Sequence, residues 1–280
     1  MTARGRLLSG LVAVVIALAG FVTVGAPTAA AGSNGTLQYV ALGDSYAAGV
    51  GAGSYDGTDC MRSSKGYPAL LDAEKHINLQ VNATCAGATT STVAGTQLSE
   101  LTPGVELVTL TVGGNDLGFA GLFETCSTPG QEAQCLTAIT NAVTDEQLTN
   151  LYRNLTLLYG EVVERAPKAL IVVTGYPYLF EPDPRNPIIT AFNAATAALN
   201  TTIEAAVNAT RKDTGANIVY VDVTEQFEGH GIGTLDDPFI NDPSAGFTEA
   251  FHHNAAGYRA YAKAISVAIL DALDRQEQLA

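Results

Sequence analysis

The sequence predicts an α/β protein, a three-layer α/β/α sandwich around a five-stranded parallel sheet. Two observations carry this. Five apolar, β-branched runs recur along the chain and are nearly continuous instead of alternating, as strands covered on both faces are. Amphipathic helical patterns fall between the later runs, and strands that alternate with helices form parallel sheets.

The first run, LQYVAL at 37–42, passes directly into the polar, glycine-rich GDSYAAGVGAG. The second, INLQVNA at 77–83, is followed by TCAGATTSTV, and the third, VELVTLTV at 105–112, by GGNDLGF. A helix is expected next, with Leu148, Leu151, Tyr152, Leu155, Leu158, Tyr159, Val162 and Val163 on its apolar stripe. The fourth run, ALIVVTG at 169–175, leads to the proline-rich loop EPDPRNP and a long helix from Ile188 to about Arg211. After the fifth, NIVYVDV at 217–223, a final helix is signalled by Asn254 as N-cap and by Tyr258, Tyr261, Ile265, Ala268 and Ile269 at helical spacing. No linker, repeat or low-complexity segment divides residues 32–280, so one domain is expected there.

Residues 1–31 read differently. Arg4 and Arg6 precede an apolar run from Leu7 to Val24, and small residues end in Ala29-Ala30-Ala31. This is the pattern of a cleaved secretory signal peptide, and the rest of the chain is expected to be secreted and soluble. The four cysteines fall in two sequential pairs, Cys60 with Cys85 and Cys126 with Cys135, spacings that suit disulfides in an oxidising compartment. They show no zinc-ligand spacing, and no metal or other cofactor is expected. Beyond the leader, 12 basic residues face 28 acidic ones, a formal charge of −16 that repels nucleic acid and anionic membranes. A monomer is expected.

Ser45 sits where the first strand meets its turn. A serine there is an ordinary turn residue unless a scheme of catalysis uses it. The nucleophile elbow G-x-S-x-G fails at Ala47, the dinucleotide fingerprint fails after Gly49 and Gly51, and no Walker pattern occurs. Yet two other turns follow strands at the same C-terminal sheet edge, where α/β proteins build their sites. One offers the side-chain NH₂ of Asn115, the other a bare N–H at Gly87. A serine also needs a base. Of the four histidines, His76 reads as a solvated helix end and His230 as a loop residue, which leaves His252 and His253 before the last helix.

Together, Gly43-Asp44-Ser45-Tyr46, Gly87, Gly113-Gly114-Asn115-Asp116 and His252 resemble in order and spacing the four blocks of the SGNH hydrolases, also called the GDSL family. The resemblance is greatest to the secreted bacterial lipase/esterase branch and extends over essentially all of the chain after residue 31. It implies a flavodoxin-like sandwich and serine ester hydrolysis of small-molecule or lipid carboxylic esters through an acyl-serine, without a cofactor. Acetylated carbohydrates and phospholipids are alternative substrates on the same site, and a non-catalytic binding module is a further alternative. The resemblance makes Ser45 the nucleophile, His252 the base, and the Ser45 and Gly87 N–H groups with the Asn115 side chain the oxyanion donors. His253 stands where the family commonly has proline, which leaves it as a second candidate base.

Two departures matter. Where the family usually places an aspartate to orient the histidine, this chain has Glu249, expected to act by its side chain or its carbonyl, with Asp242 as a more distant alternative. The secreted branch often has a third disulfide at the position of Gly233, so the loop around His230 is expected to be looser.

Overall fold

The computed structural model describes residues 35–246 and 248–279; the expected leader at 1–31 lies outside them. Five parallel strands form one sheet: β1 Leu37–Gly43, β2 Ile77–Asn82, β3 Leu107–Thr111, β4 Leu170–Thr174 and β5 Ile218–Val221. Their order, β2-β1-β3-β4-β5, is that of a doubly wound flavodoxin-like sheet. Each expected strand is present within two residues of its apolar run. The central strands β3 and β4 are buried throughout, whereas the edges β2 and β5 are only partly covered; β2 departs from the expected continuous run, since its residues alternate and the polar Asn78 and Gln80 are exposed. A strand with a neighbour on one side only lies at the margin of the helical layers, and the alternation in β2 is that of a strand with one solvated face.

Right-handed crossovers distribute the helices. The β1–β2 connection runs in the opposite direction from the later ones, which places α2, Tyr67–Asp72, on the face where the C-terminal α8, Ala255–Leu279, packs against it. The β3–β4 and β4–β5 connections supply the other face, with α6, Asp145–Arg165, packed along α7, Pro187–Thr214. Shorter helices α1, Ser45–Ala48, α3, Thr90–Thr92, α4, Phe119–Ser127, and α5, Glu132–Ala142, lie in the connections. The α6 stripe buries Leu151, Leu155, Leu158, Tyr159 and Val162 as its spacing predicts; Tyr152 is 38 % exposed and belongs to the helix surface.

Both expected disulfides are present, Cys60–Cys85 and Cys126–Cys135. The second joins α4 to α5. The loop around His230 is not loose. Ile232 pairs in register with Phe180, the Gly231 N–H donates to Glu181 Oε1 at 2.6 Å, and the His230 ring stacks on Phe239 with centroids 3.8 Å apart. These contacts substitute for the bridge that Gly233 lacks.

The fold positions its site at the end of β1, between β2 and β3, where successive connections leave in opposite directions and open a crevice. Gly43 makes that exit possible. Its φ is +131°, and a Cβ there would lie 2.3 Å from the Thr111 carbonyl oxygen and 2.9 Å from the Ala47 Cβ. The buried Gln97 side chain takes up the Gly43 peptide where it leaves the regular ladder. Its Oε1 accepts from the Gly43 N–H at 2.7 Å, and its Nε2 donates to the Gly43 carbonyl at 3.0 Å. Gly43→Ala is expected to lower stability by at least about 1–3 kcal/mol, the scale of a strained backbone residue, measured as a fall in the thermal or urea midpoint.

Candidate active site

Asp44 caps α1: its φ of −97° is extended, and its Oδ1 accepts from the Tyr46 N–H at 2.9 Å. Ser45 is therefore the first residue of a four-residue helix that the αL Gly49 ends. The next turn of chain closes on itself, with Gly49 and Val50 both donating to the Ser45 carbonyl at 3.1 Å. The hydroxyl of Ser45 reaches His252 Nε2 at 2.8 Å. The other ring nitrogen, Nδ1, meets the Ala250 carbonyl at 3.0 Å. A carbonyl only accepts, so Nδ1 carries the proton and the Nε2 lone pair faces the serine.

The orienting group is thus neither group of Glu249. Its carboxylate accepts instead from the Tyr55 hydroxyl at 2.7 Å, and its carbonyl accepts from the Asn241 amide and the His252 N–H, both at 3.3 Å. The reason is the turn between them. Phe251 has φ +63°, a left-handed value rare for a bulky residue, and this folds the Ala250 carbonyl back under the imidazole of His252. Asn241 clamps the turn: its carbonyl accepts from Phe251 N–H at 2.8 Å, its own N–H donates to the His252 carbonyl at 2.9 Å, and its side chain donates to the Gly51 carbonyl at 2.9 Å. The Tyr46 hydroxyl holds the Phe251 carbonyl at 2.6 Å, and the Phe123 ring of α4 stacks on Phe251 with centroids 4.3 Å apart. Asp242 is elsewhere, exposed and capping Ser244.

His253 is excluded as the base by its position. It is 0 % exposed, neither ring nitrogen has a hydrogen-bond partner among the described residues, and Tyr46, Phe227, Tyr258 and Tyr261 surround it at centroid distances of 4.8–4.9 Å. Burial holds its pKa well below the ordinary histidine value, with the neighbouring His252 acting in the same direction. Burial also holds His252 down, to about 4, against the Ala250 carbonyl and the Glu249 charge, which pull upward.

The expected oxyanion donors line the same cavity as the serine and histidine, a cleft of about 230 Å³. Neither the Ser45 nor the Gly87 N–H has a partner among the described residues, the state a pair of donors waiting for an external acceptor is in. Gly87 adopts φ +77°, and the Ala86 N–H before it donates to the Cys60 carbonyl at 3.0 Å, so the Cys60–Cys85 bridge braces this turn. Asn115 donates one amide hydrogen to the Ala88 carbonyl at 3.0 Å, which leaves the second free. Asp116 joins the two turns by accepting from the Thr90 N–H at 3.0 Å and from its hydroxyl. The rest of the cleft wall is mainly apolar, with Val50, Met61, Phe119, Phe123 and Leu179 among its members. Among the aromatics beside the strand ends, Tyr46, Phe119 and Phe123 line it, while Tyr178 and Phe180 line a separate depression with Glu181, Glu225 and Glu228.

Residues 41–260 match the model of the GDSL-like lipase/acylhydrolase family. The chain belongs to this family. It is 35 % identical to lipase 1 of Streptomyces coelicolor over 263 residues, 91 % of this chain and 94 % of that protein. Among solved structures, the extracellular lipase of Streptomyces rimosus superposes with a TM-score of 0.75 at 32 % identity, and phospholipase A1 of Streptomyces albidoflavus with 0.74 at 35 %. Each alignment covers 83 % of this chain and 99 % of the other. As a GDSL-type protein the chain is a carboxylic ester hydrolase.

Sequence reasoning missed the Ala250 carbonyl, because a main-chain acceptor has no residue-type signature, and missed Asn241, which stands in a loop without a motif. The geometry sets two expectations. Glu249→Ala is expected to keep kcat within about tenfold of wild type, against the roughly 10⁴-fold loss typical when a triad carboxylate is disabled. Protonation of His252 removes the Nε2 lone pair that faces Ser45, and burial delays protonation as pH falls. The acid limb of kcat/KM is therefore expected well below the ordinary imidazole range near 6.5, approaching 4, in a pH–rate profile.

Proposed function

We propose that the protein is a secreted lipase/esterase in which Ser45 and His252 act as a dyad, oriented through the main chain, to form and hydrolyse an acyl-serine. The observation that carries this is the 2.8 Å contact between Ser45 Oγ and His252 Nε2 beside two N–H groups that have no partner among the described residues, all in one cleft. In the first half-reaction Nε2 takes the hydroxyl proton as Oγ bonds the ester carbonyl carbon. The carbonyl electron pair moves onto its oxygen, where the Ser45 and Gly87 N–H groups and the Asn115 amide would receive it. Collapse breaks the bond to the alcohol, which leaves with the proton from His252. In the second, His252 takes a proton from water, the hydroxide attacks the acyl carbon, and the acid leaves as Ser45 recovers its hydrogen.

The apolar wall favours an aliphatic acyl group over a sugar ring, which would need more hydrogen-bonding partners than the cleft offers. A phospholipid is the second reading, favoured by the likeness to the Streptomyces albidoflavus phospholipase A1. The leader at 1–31 and the two disulfides support secretion. No helix among the described residues is long and apolar enough to cross a membrane. A monomer acting alone on small-molecule or lipid esters is the simplest arrangement consistent with a site built from one chain.

The test is hydrolysis of nitrophenyl acetate, butyrate, octanoate and palmitate, with phosphatidylcholine and acetyl-xylan in parallel. Ser45→Ala is expected to remove at least about 10³-fold of activity on the ester series while leaving the fold intact by circular dichroism. Equal rates in variant and wild type would reject the serine mechanism, and preference for acetyl-xylan over every nitrophenyl ester would reject the acyl-chain reading. Asn115→Ala is expected to cost on the order of 100- to 1000-fold in kcat, the scale of one lost oxyanion donor.

A further inference from the structure

Tyr176 lies just beyond β4, and a single buried amide fixes its backbone from both sides. Asn200 of α7 accepts from the Tyr176 N–H through Oδ1 and donates from Nδ2 to the Tyr176 carbonyl, each at 2.8 Å. The preceding Gly175 permits this approach, since a Cβ there would come within 2.9 Å of the Asn200 oxygen. The ring, 5 % exposed, stands edge-on to Tyr46 with centroids 5.0 Å apart and forms part of the cleft wall.

Its hydroxyl makes two hydrogen bonds of opposite sense. It accepts from the Gly114 N–H at 3.2 Å and donates to Asp44 Oδ2 at 2.6 Å. Gly114 immediately precedes Asn115, and Asp44 immediately precedes Ser45. The other Asp44 oxygen is already committed to the Tyr46 N–H of α1. One hydroxyl therefore ties the turn after β1, which carries the Ser45 N–H, to the turn after β3, which carries the Asn115 amide. It does so from a third turn, after β4, that α7 holds in place. The link is directional: Asp44 receives the only hydroxyl proton, so the oxygen lone pairs remain for Gly114. Among the described residues no other side chain bonds to both turns.

We propose that Tyr176 is a positioning residue of the oxyanion hole, its hydroxyl setting the separation at which the Ser45 N–H and the Asn115 amide converge on one substrate oxygen. This rests on the acyl-transfer reading above. It goes beyond packing, because the ring contacts to Tyr46 and to the cleft survive in Tyr176→Phe, which removes the hydroxyl alone. Donors misplaced by about an ångström lose transition-state stabilisation while ground-state binding in the apolar part of the cleft persists.

The experiment measures kcat and KM for nitrophenyl butyrate, and inhibition by a trifluoromethyl ketone of the same chain length. It compares wild type, Ser45→Ala, Tyr176→Phe, Asn115→Ala, the Tyr176→Phe/Asn115→Ala double variant, and Tyr39→Phe. The last removes an equally buried hydroxyl, bonded to Thr109 and absent from the cleft lining, and reports the effect of a core hydroxyl as such. Tyr176→Phe is expected to lower kcat on the order of 10- to 100-fold with KM within about threefold, and to weaken the ketone by a similar factor. The double variant is expected to be within about threefold of Asn115→Ala, because the hydroxyl acts through the donor already removed. Asp44→Asn, which turns one accepting oxygen into a donor, reads the same link from its other end and is expected to show the same split if Tyr176→Phe does not fold. The proposal is overturned by a Tyr176→Phe kcat within about twofold of wild type, by effects that multiply in the double variant, or by an equal loss in Tyr39→Phe. A wild type without Ser45-dependent hydrolysis overturns both readings, whereas an active wild type with unimpaired Tyr176 and Asp44 variants overturns this one alone.

Discussion

The site depends on how β1 is allowed to end. Flanked by a strand on either side, its last peptide has to leave the hydrogen-bond ladder, reverse, and start a helix within two residues. Gly43 permits this because no side chain occupies the space against the Thr111 carbonyl, and Gln97 keeps the departing peptide bonded. Without Gln97 the Gly43 N–H would be left unsatisfied, at a cost of about 1–3 kcal/mol, while the Gly43 carbonyl would keep the Cys85 N–H at 3.0 Å. Once the peptide has turned, Asp44 caps the helix, Ser45 stands at its first position, and the helix N-terminus faces the cleft.

His252, the proposed base, is arranged on a different principle. Its support comes from the main chain, and the Phe251 turn is the device that delivers it. A left-handed phenylalanine costs of the order of 1–3 kcal/mol, and four contacts offset that cost: the two backbone bonds of Asn241, the Tyr46 hydroxyl and the Phe123 ring. The two adjacent histidines are separated in role by this same turn. One ring is aimed at the serine from the cleft wall, while its neighbour is turned inward among four aromatic rings, where burial keeps it neutral. The unfolded His253 takes up a proton near pH 6.5 and the folded one only far below. This residue therefore favours the folded state above that pH, and its contribution is lost as pH falls.

Much of this was legible in the sequence because it is carried by residue type. Five apolar runs mark five strands, the glycine, serine and asparagine of the site stand in short motifs at strand ends, and the histidine stands just before the last helix. What was not legible is carried by conformation. Glu249 is one residue from the carbonyl that touches the imidazole, and nothing in its chemistry separates a carboxylate aimed at the ring from one aimed at Tyr55. The stiffness of the His230 loop was hidden for a similar reason, since a missing cysteine is visible in a sequence and a stacked ring on Phe239 is not.

Orientation of the proposed base by a backbone carbonyl changes what mutation can reach. In a triad the third member is one codon away from loss, and its removal leaves a correctly folded but crippled enzyme. Here the equivalent atom belongs to every amino acid, so drift at Ala250 cannot delete it. The fragile positions are displaced to those that set a dihedral angle, Phe251 and Asn241 above all, where a β-branched or shorter residue would relax the turn. The selective record of such an enzyme is written in its loop conformation, and the carboxylate at position 249 is the one left free to vary.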